Sequence, residues 1–156
     1  MEFKELITAF AAKQGIDGLD GASGAAMLDC DGVVVELLDD PHTHSIIICA
    51  EIGHPPPDAN GAFGAMMLKA NFLLRATDGA TLCQNPESGA YALVHPFPLA
   101  LTDVASLAAG IESLVNQTES WRKVIAGMHT AETARAKEGE SGDSHHEMIS
   151  NGYFHV

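Results

Sequence analysis

The chain has 156 residues, of which 46% are apolar, enough for one domain with a hydrophobic core. Its formal net charge of −13 and isoelectric point near 4.7 argue against binding to nucleic acid or to an anionic membrane, because phosphate groups would repel it. The charged N-terminus does not resemble a secretory signal. No window approaches the roughly 18 consecutive apolar residues of a membrane span.

Three cysteines, Cys30, Cys49 and Cys83, are widely separated, and each falls in a predicted strand. The sequence contains no CxxC pair that would indicate a disulfide framework or a thiolate zinc site. We therefore expect them to be small buried hydrophobic residues in a reducing compartment, which places the protein in the cytoplasm.

The N-terminal half predicts one helix followed by three strands. An amphipathic helix is expected over residues 2–14, and the glycine-rich run 15–24 is a loop by composition. Residues 25–52 alternate as an antiparallel meander, with Asp31-Gly32 as a two-residue hairpin turn. The third strand is apolar on both faces, which indicates a position inside the sheet.

Residues 58–76 predict a central helix, capped by Asp58, with apolar side chains on nearly every side. One face of this helix carries a regular apolar stripe, and Leu68 and Phe72 make the other side apolar as well. A five-stranded sheet offers such a helix one surface, so the second surface suggests contact with another subunit. The residues predicted to form this dimer interface follow helical spacing: Phe63, Met66, Met67, Ala70, Leu73 and Leu74.

Two further strands, near residues 80–84 and 90–97, predict a second hairpin. A long helix, capped by Thr102 and ending near residue 125, would span roughly 36 Å. We predict a domain over residues 1–127 and a polar, flexible tail over 128–156. The tail ends in an apolar group: Met148, Ile149, Tyr153, Phe154 and Val156. The group is either a loosely ordered end or a segment that docks, in which case we expect Tyr153, Phe154 and Val156 to pack in an apolar groove such as the effector groove of a neighbouring copy.

The element order α-β-β-β-α-β-β-α predicts an α+β fold, a twisted antiparallel sheet packed with helices. Three stretches carry a resemblance to a known family: MLKANFLL, GATLCQNPESGAYALVHPFPL, and the 102–125 helix that ends in ESWRKVI. With the motif Leu-x-Ala-Asn at residues 68–71 and Trp121, they resemble the Tir chaperone (CesT) family of class I type III secretion chaperones. The resemblance covers roughly residues 2–127.

This resemblance implies a homodimer that binds the N-terminal segment of a secreted effector, keeps it extended and export-competent, and aids its delivery to the secretion apparatus. It implies no catalysis and no cofactor. Exposed apolar patches and an open sheet edge would accept such a peptide, and surrounding acidic residues would favour basic segments. The predicted effector-binding residues are Phe3, Leu6, Ile7, Phe10, Val33, Val35 and Leu37, although the same stripe could equally be core.

Two alternatives remain open from the sequence: a small metal- or thiol-dependent enzyme, and an adaptor for another secretion component. His42-x-His44 and His145-His146 each supply at most half a metal site. Cys49 with His54, or Cys83 with His95, could pair a nucleophile with a base, but neither pair lies in a recognisable nucleophile turn. We therefore expect no catalytic residue and no bound metal.

Overall fold

The structure, a computed structural model, describes residues 2–143, without the side chains of residues 58 and 139–143. Its elements follow the predicted order and confirm the α+β class. They are α1 (Phe3–Gln14), β1 (Ala25–Cys30), β2 (Val33–Asp40), β3 (Ser45–Gly53), α2 (Asn60–Ala70), β4 (Thr81–Gln84), β5 (Tyr91–Pro98) and α3 (Val104–Asp143).

The five strands form one antiparallel sheet in the order β1-β2-β3-β5-β4. The central position of β3 confirms its predicted place inside the sheet. Only one of its faces is fully buried, however, because Ile47 and Cys49 on the other face are half-buried and Glu51 is exposed. Asp31 and Gly32, with φ of 53° and 87°, form the predicted tight turn between β1 and β2. The strands at the two edges of this sheet are β1 and β4, so each has one side without a neighbouring strand.

The two faces of the sheet differ in what covers them. Alternate residues of each strand, such as Val35, Ile48 and Leu93, face α1 and α3 and form the hydrophobic core with them. On the opposite face Met27 and Val34 are exposed. The helices therefore bury one face of the sheet, at least across β1 and β2, and leave apolar side chains accessible on the other.

Helix α3 begins and ends at different residues from those predicted. Asp103, rather than Thr102, caps it: the Ser106 N–H donates to Asp103 Oδ1 at 2.8 Å, and the Asp103 N–H donates to Ser106 Oγ at 2.9 Å. The Thr102 hydroxyl instead donates to the carbonyl of Pro98. The helix continues to Asp143, well past the predicted end near 125, and helix-forming Ala, Glu, Lys and Arg make up half of residues 126–143. The predicted boundary at residue 127 between a folded domain and a polar tail stays a prediction, and the apolar end of that tail lies outside the described residues.

Helix α2 is shorter than predicted. It runs from Asn60 to Ala70 with Ala59 at its N-cap, so Asp58 does not cap it. At its C-terminal end, the Asn71 side chain donates to the Leu82 carbonyl at 3.0 Å and accepts the Leu82 N–H at 2.9 Å. These two bonds cover part of the free edge of β4. Leu73 then adopts a φ of 58°, which ends the helical path.

An aromatic cluster joins α2 to the rest of the fold. The ring of Phe63 packs edge-to-face on Tyr91 of β5, with centroids 4.9 Å apart, and on Trp121 of α3 at 6.1 Å. Next to Trp121, the Arg122 guanidinium donates to the carbonyls of Gly32 and Glu51. These contacts fix α3 against the β1–β2 turn and against β3.

Candidate functional site

A groove of about 460 Å³ lies between the end of α1, the edge strand β1 and the first half of α3. Its lining is mainly apolar, with polar side chains at the margin: Phe10, Gln14, Ile16, Leu28, Asp29, Cys30, Ala108, Ile111, Glu112, Val115 and Asn116. The strand and both helices belong to the packed core, so they give the groove rigid walls.

The backbone of β1 leaves hydrogen-bonding groups on the groove side. The Asp39 N–H donates to the Gly24 carbonyl at 2.9 Å, which sets the phase of the β1–β2 ladder. Because hydrogen-bonded pairs alternate in antiparallel sheets, Leu28 bonds to β2 while Met27 and Asp29 turn their N–H and C=O groups toward the open edge. An extended peptide could pair with these groups as an added strand.

The electrostatic character of the groove is acidic. Asp29 and Glu112 are its charged residues, and none of the residues that line it is a lysine or an arginine. Burial raises the pKa of the Cys30 thiol, and the neighbouring carboxylates of Asp29 and Asp31 raise it further. The groove therefore favours an apolar peptide with positive rather than negative charges nearby.

The sequence model of the Tir chaperone protein (CesT) family matches residues 5–122, three quarters of the chain and nearly all of this fold. The chain belongs to this family. No curated protein sequence matches it.

Solved structures share the same fold at low sequence identity. The HopA1–SchA chaperone–effector complex contains a chain with a TM-score of 0.65 and 21% identity, covering 78% of this chain and 93% of that one. A chain of the ExsC–ExsE complex gives 0.67 and 17%, covering 80% and 97%. The Yersinia pestis type III secretion chaperone SycH, in complex with a YscM2 fragment, gives 0.60 and 16%, covering 76% and 98%.

The residues predicted to bind an effector lie in the core of this CesT-family fold. All seven are at most 4% exposed: Phe3, Leu6, Ile7, Phe10, Val33, Val35 and Leu37. The alternative interpretation of the α1 stripe as core therefore describes the folded chain. Of the seven, Phe10 lines the groove and Val33 lines a depression beside Arg122. For the other residues, contact with a client stays a prediction, and it would require α1 or the sheet to move.

The predicted dimer residues divide into two groups. Phe63, Met67 and Ala70 are buried in the monomer, where Phe63 contacts Tyr91 and Trp121. The other three, Met66, Leu73 and Leu74, are exposed, together with Leu68 and Phe72. We call these five exposed residues the α2 patch. The predicted stripe thus divides: half of it is core, and the other half joins Leu68 and Phe72 on an exposed surface at and just beyond the end of α2. The dimer interface itself stays a prediction.

Sequence reasoning missed most of the groove. Ile16 lies in a stretch read as a loop, while Ala108, Ile111 and Val115 follow the helical spacing of α3 and read as core. No local pattern marks these side chains as neighbours of β1, because they meet only when α3 packs across the sheet. The sequence offered one signal of the groove: Leu28 and Cys30 stand at alternate positions of β1, so their side chains lie on the same face of that strand.

The thiols show no sign of activation as nucleophiles. Burial raises the pKa of Cys83, and burial together with the Glu36 carboxylate raises the pKa of Cys49 to about 11. Burial also lowers the pKa of His95, partly opposed by the negative charge of Asp78. A cysteine with a raised pKa is mostly protonated at neutral pH and is therefore a poor nucleophile.

The histidine pairs singled out from the sequence do not form a metal site in the described part of the chain. His42 and His44 lie on the exposed β2–β3 turn, whereas His145 and His146 are outside the described residues. Among the side chains that the structure describes, no three of His, Cys, Asp or Glu are grouped so that they could hold a metal ion. None of the described helices combines the length and apolar character needed to cross a bilayer.

Proposed function

We propose that this CesT-family protein is a type III secretion chaperone in the bacterial cytoplasm. It binds the N-terminal chaperone-binding segment of a secreted effector, keeps that segment extended and export-competent, and aids its delivery to the secretion apparatus. The observation that carries the proposal is the apolar groove beside the open edge of β1 in a member of a chaperone family. Chains of similar fold occur in the HopA1–SchA chaperone–effector complex, which supports it.

The groove suits an extended segment rather than a folded domain. A strand added beside β1 would bond to the backbone of Met27 and Asp29, and every second side chain would enter the groove. Those side chains would contact Phe10, Ile111 and Val115. Backbone pairing supplies affinity for many sequences, and the apolar contacts supply selectivity. Such binding needs no chemical step.

We also propose that two copies associate through the α2 patch. Leu68 and Phe72 are 76% and 74% exposed, which is unusual for adjacent large apolar residues on one helix end. Leu73 and Leu74 both have positive φ values, 58° and 53°. This conformation costs about 1–2 kcal/mol for each non-glycine residue. Contact with a second copy would bury these side chains and offset that cost.

The client-binding role is tested by charging the groove wall. Val115→Asp places a carboxylate among apolar groove residues, and the exposed Val124→Asp on the same helix is the matched control. Where a neighbouring gene encodes a secreted protein, the probe is an N-terminal fragment of that protein, and its binding is measured by isothermal calorimetry. We expect Val115→Asp to weaken binding by more than about tenfold, because a buried unpaired charge opposes association, and Val124→Asp to bind normally.

Equal binding by wild type and both variants would show that the groove is not the client-binding site. No binding by wild type would show that the tested protein is not its client. Strand addition has its own readout at Cys30, which lies in the groove. In a Cys49→Ser/Cys83→Ser background, single cysteines scanned along the client should form a disulfide with Cys30 fastest at the one position that lies opposite it, more slowly two residues to either side, and not at the intervening positions, because side chains alternate along a strand and a disulfide bridges only short Cα distances. Reactivity without this period would contradict strand pairing.

A further inference from the structure

Backbone pairing and apolar contacts do not by themselves fix the register of a strand added to β1. Backbone groups are the same at every residue, and a shift by two residues returns each side chain to the same face of the strand. Apolar walls such as Phe10, Ile111 and Val115 discriminate weakly between apolar side chains of similar size. A charged group at one fixed place in the groove would distinguish one register from the others.

The groove contains two carboxylates, and they differ in what they already bind. Asp29 Oδ1 accepts the N–H of Gly32 at 2.8 Å, so this side chain is part of the β1–β2 turn. Glu112 lies exposed on α3, and among the described residues no group donates a hydrogen bond to its carboxylate or forms an ion pair with it. Glu112 is therefore the carboxylate that is available to a client.

The residues near Glu112 provide no positive charge that would compete with a client. Among the described residues, no lysine or arginine lines the groove. The residues three and four positions away along α3 are all uncharged, so no ion pair forms within the helix: Ala108, Ala109, Val115 and Asn116. Lys13, in the last turn of α1, acts on another carboxylate: hydrogen bonds from Ser106 lower the pKa of Asp103, and the positive charge of Lys13 lowers it further.

A second depression, of about 360 Å³, lies beside the groove along α3. Glu112 and Asn116 line both, and the depression has these further walls: Asp78, Ala109, Ser113 and Gln117. It too contains a carboxylate, that of Asp78, and no lysine or arginine among the residues that line it. A basic side chain that reaches Glu112 from the groove therefore meets further hydrogen-bond acceptors, whereas an acidic one is repelled.

We propose that Glu112 fixes the register of the client by forming an ion pair with one lysine or arginine of the strand that adds to β1. This inference rests on the proposed function, because it concerns the same groove. It narrows the client to an extended segment in which a basic residue stands at one set distance from the apolar residues. Arginine suits the role well, since its planar guanidinium can bind both carboxylate oxygens.

Charge exchange tests the pair. The probe is the client fragment used for Val115→Asp, with each of its lysines and arginines changed to glutamate in turn. At one position this change should weaken binding to wild type by about three- to tenfold, and Glu112→Lys should restore the affinity for that variant alone. Glu119→Lys, the same change at an exposed residue of α3 outside the groove, is the matched control and should restore nothing.

Register has a separate readout in the disulfides that the client forms with Cys30. The position opposite Cys30 should react faster than those two residues away, because one register dominates. In the same Cys49→Ser/Cys83→Ser background, Glu112→Gln should reduce this preference by about threefold or more, while the alternation between neighbouring positions stays, because pairing with β1 persists.

Equal effects of Glu112→Lys and Glu119→Lys on every client variant would refute the role of Glu112, and so would an unchanged position preference in Glu112→Gln. Either result would leave the chaperone function standing, because wild type still binds its client. A wild-type protein that binds no fragment of a secreted protein would instead overturn the proposed function, and this inference with it.

Discussion

Two glycines of α3 differ in what a side chain would meet. A Cβ added at Gly110 would lie 2.5 Å from Cζ of Phe97, whereas one added at Gly127 would have no atom within 4 Å. Gly110 thus allows α3 to approach β5 closely. We expect Gly110→Ala to lower the free energy of unfolding by about 1–3 kcal/mol through overpacking. Gly127→Ala should raise it by up to about 1 kcal/mol through helix propensity.

Urea denaturation of both variants measures these effects in one helix with the same chemical change. A Gly110→Ala protein as stable as wild type would show that α3 can shift away from Phe97 at little cost.

The Cys49 thiol gives a prediction about pH. Its folded-state pKa of about 11 lies above the ordinary value of 9.0, because burial disfavours the thiolate and the Glu36 carboxylate repels it. Below pH 9 both folded and unfolded thiols are protonated, so stability is unaffected. Between pH 9 and 11 the unfolded thiol ionises first, so this group lowers stability as the pH rises.

In the Cys30→Ser/Cys83→Ser background, iodoacetamide alkylation followed by mass spectrometry should therefore give an apparent pKa near 11 for Cys49. The same protein in urea should give an apparent pKa near 9. Identical folded and unfolded titrations would mean that Cys49 is accessible to water.

At the scale of elements, the turn chemistry and the alternation of apolar residues predicted all five strands, the antiparallel meander of β1 to β3 and the β4–β5 hairpin. They did not predict that β5 pairs with β3. Nor did they predict how α2 ends. The pattern over residues 58–76 is continuous, yet Asn71 bonds to a strand eleven residues away and the helix stops. A propensity argument considers near neighbours, so it cannot include a hydrogen bond that exists only once β4 lies beside the helix.

This junction is the basis of a third prediction. Asn71→Ala removes both side-chain bonds to Leu82 and should lower the free energy of unfolding by about 1–3 kcal/mol, because partly buried backbone groups lose their partners. The Leu82 amide should also exchange hydrogen faster, which NMR measures directly. Asn116→Ala, an exposed change, is the control and should stay within about 0.5 kcal/mol of wild type. Unchanged Leu82 exchange would contradict the edge-covering role.

At the scale of the whole molecule, the α2 patch predicts the oligomeric state. Leu68→Asp or Phe72→Asp should convert a dimer into a 16.4 kDa monomer in light scattering, because a carboxylate cannot be buried in an apolar interface without a partner. Leu101→Asp is the matched control: Leu101 is 82% exposed but lies outside the patch, so this variant should remain dimeric. A wild-type protein that is monomeric at micromolar concentration would overturn the proposed interface.

The sequence by itself determined the number, order and type of the elements, the β1–β2 turn and the family, because these depend on local propensity, spacing and motif. Only the tertiary structure decided what each apolar stripe contacts. Periodicity shows that a face avoids water, but it does not distinguish core, client and second subunit as the reason. Packing of α3 buried the stripe of α1 in the core and left beside β1 an accessible apolar groove formed by side chains distant in sequence.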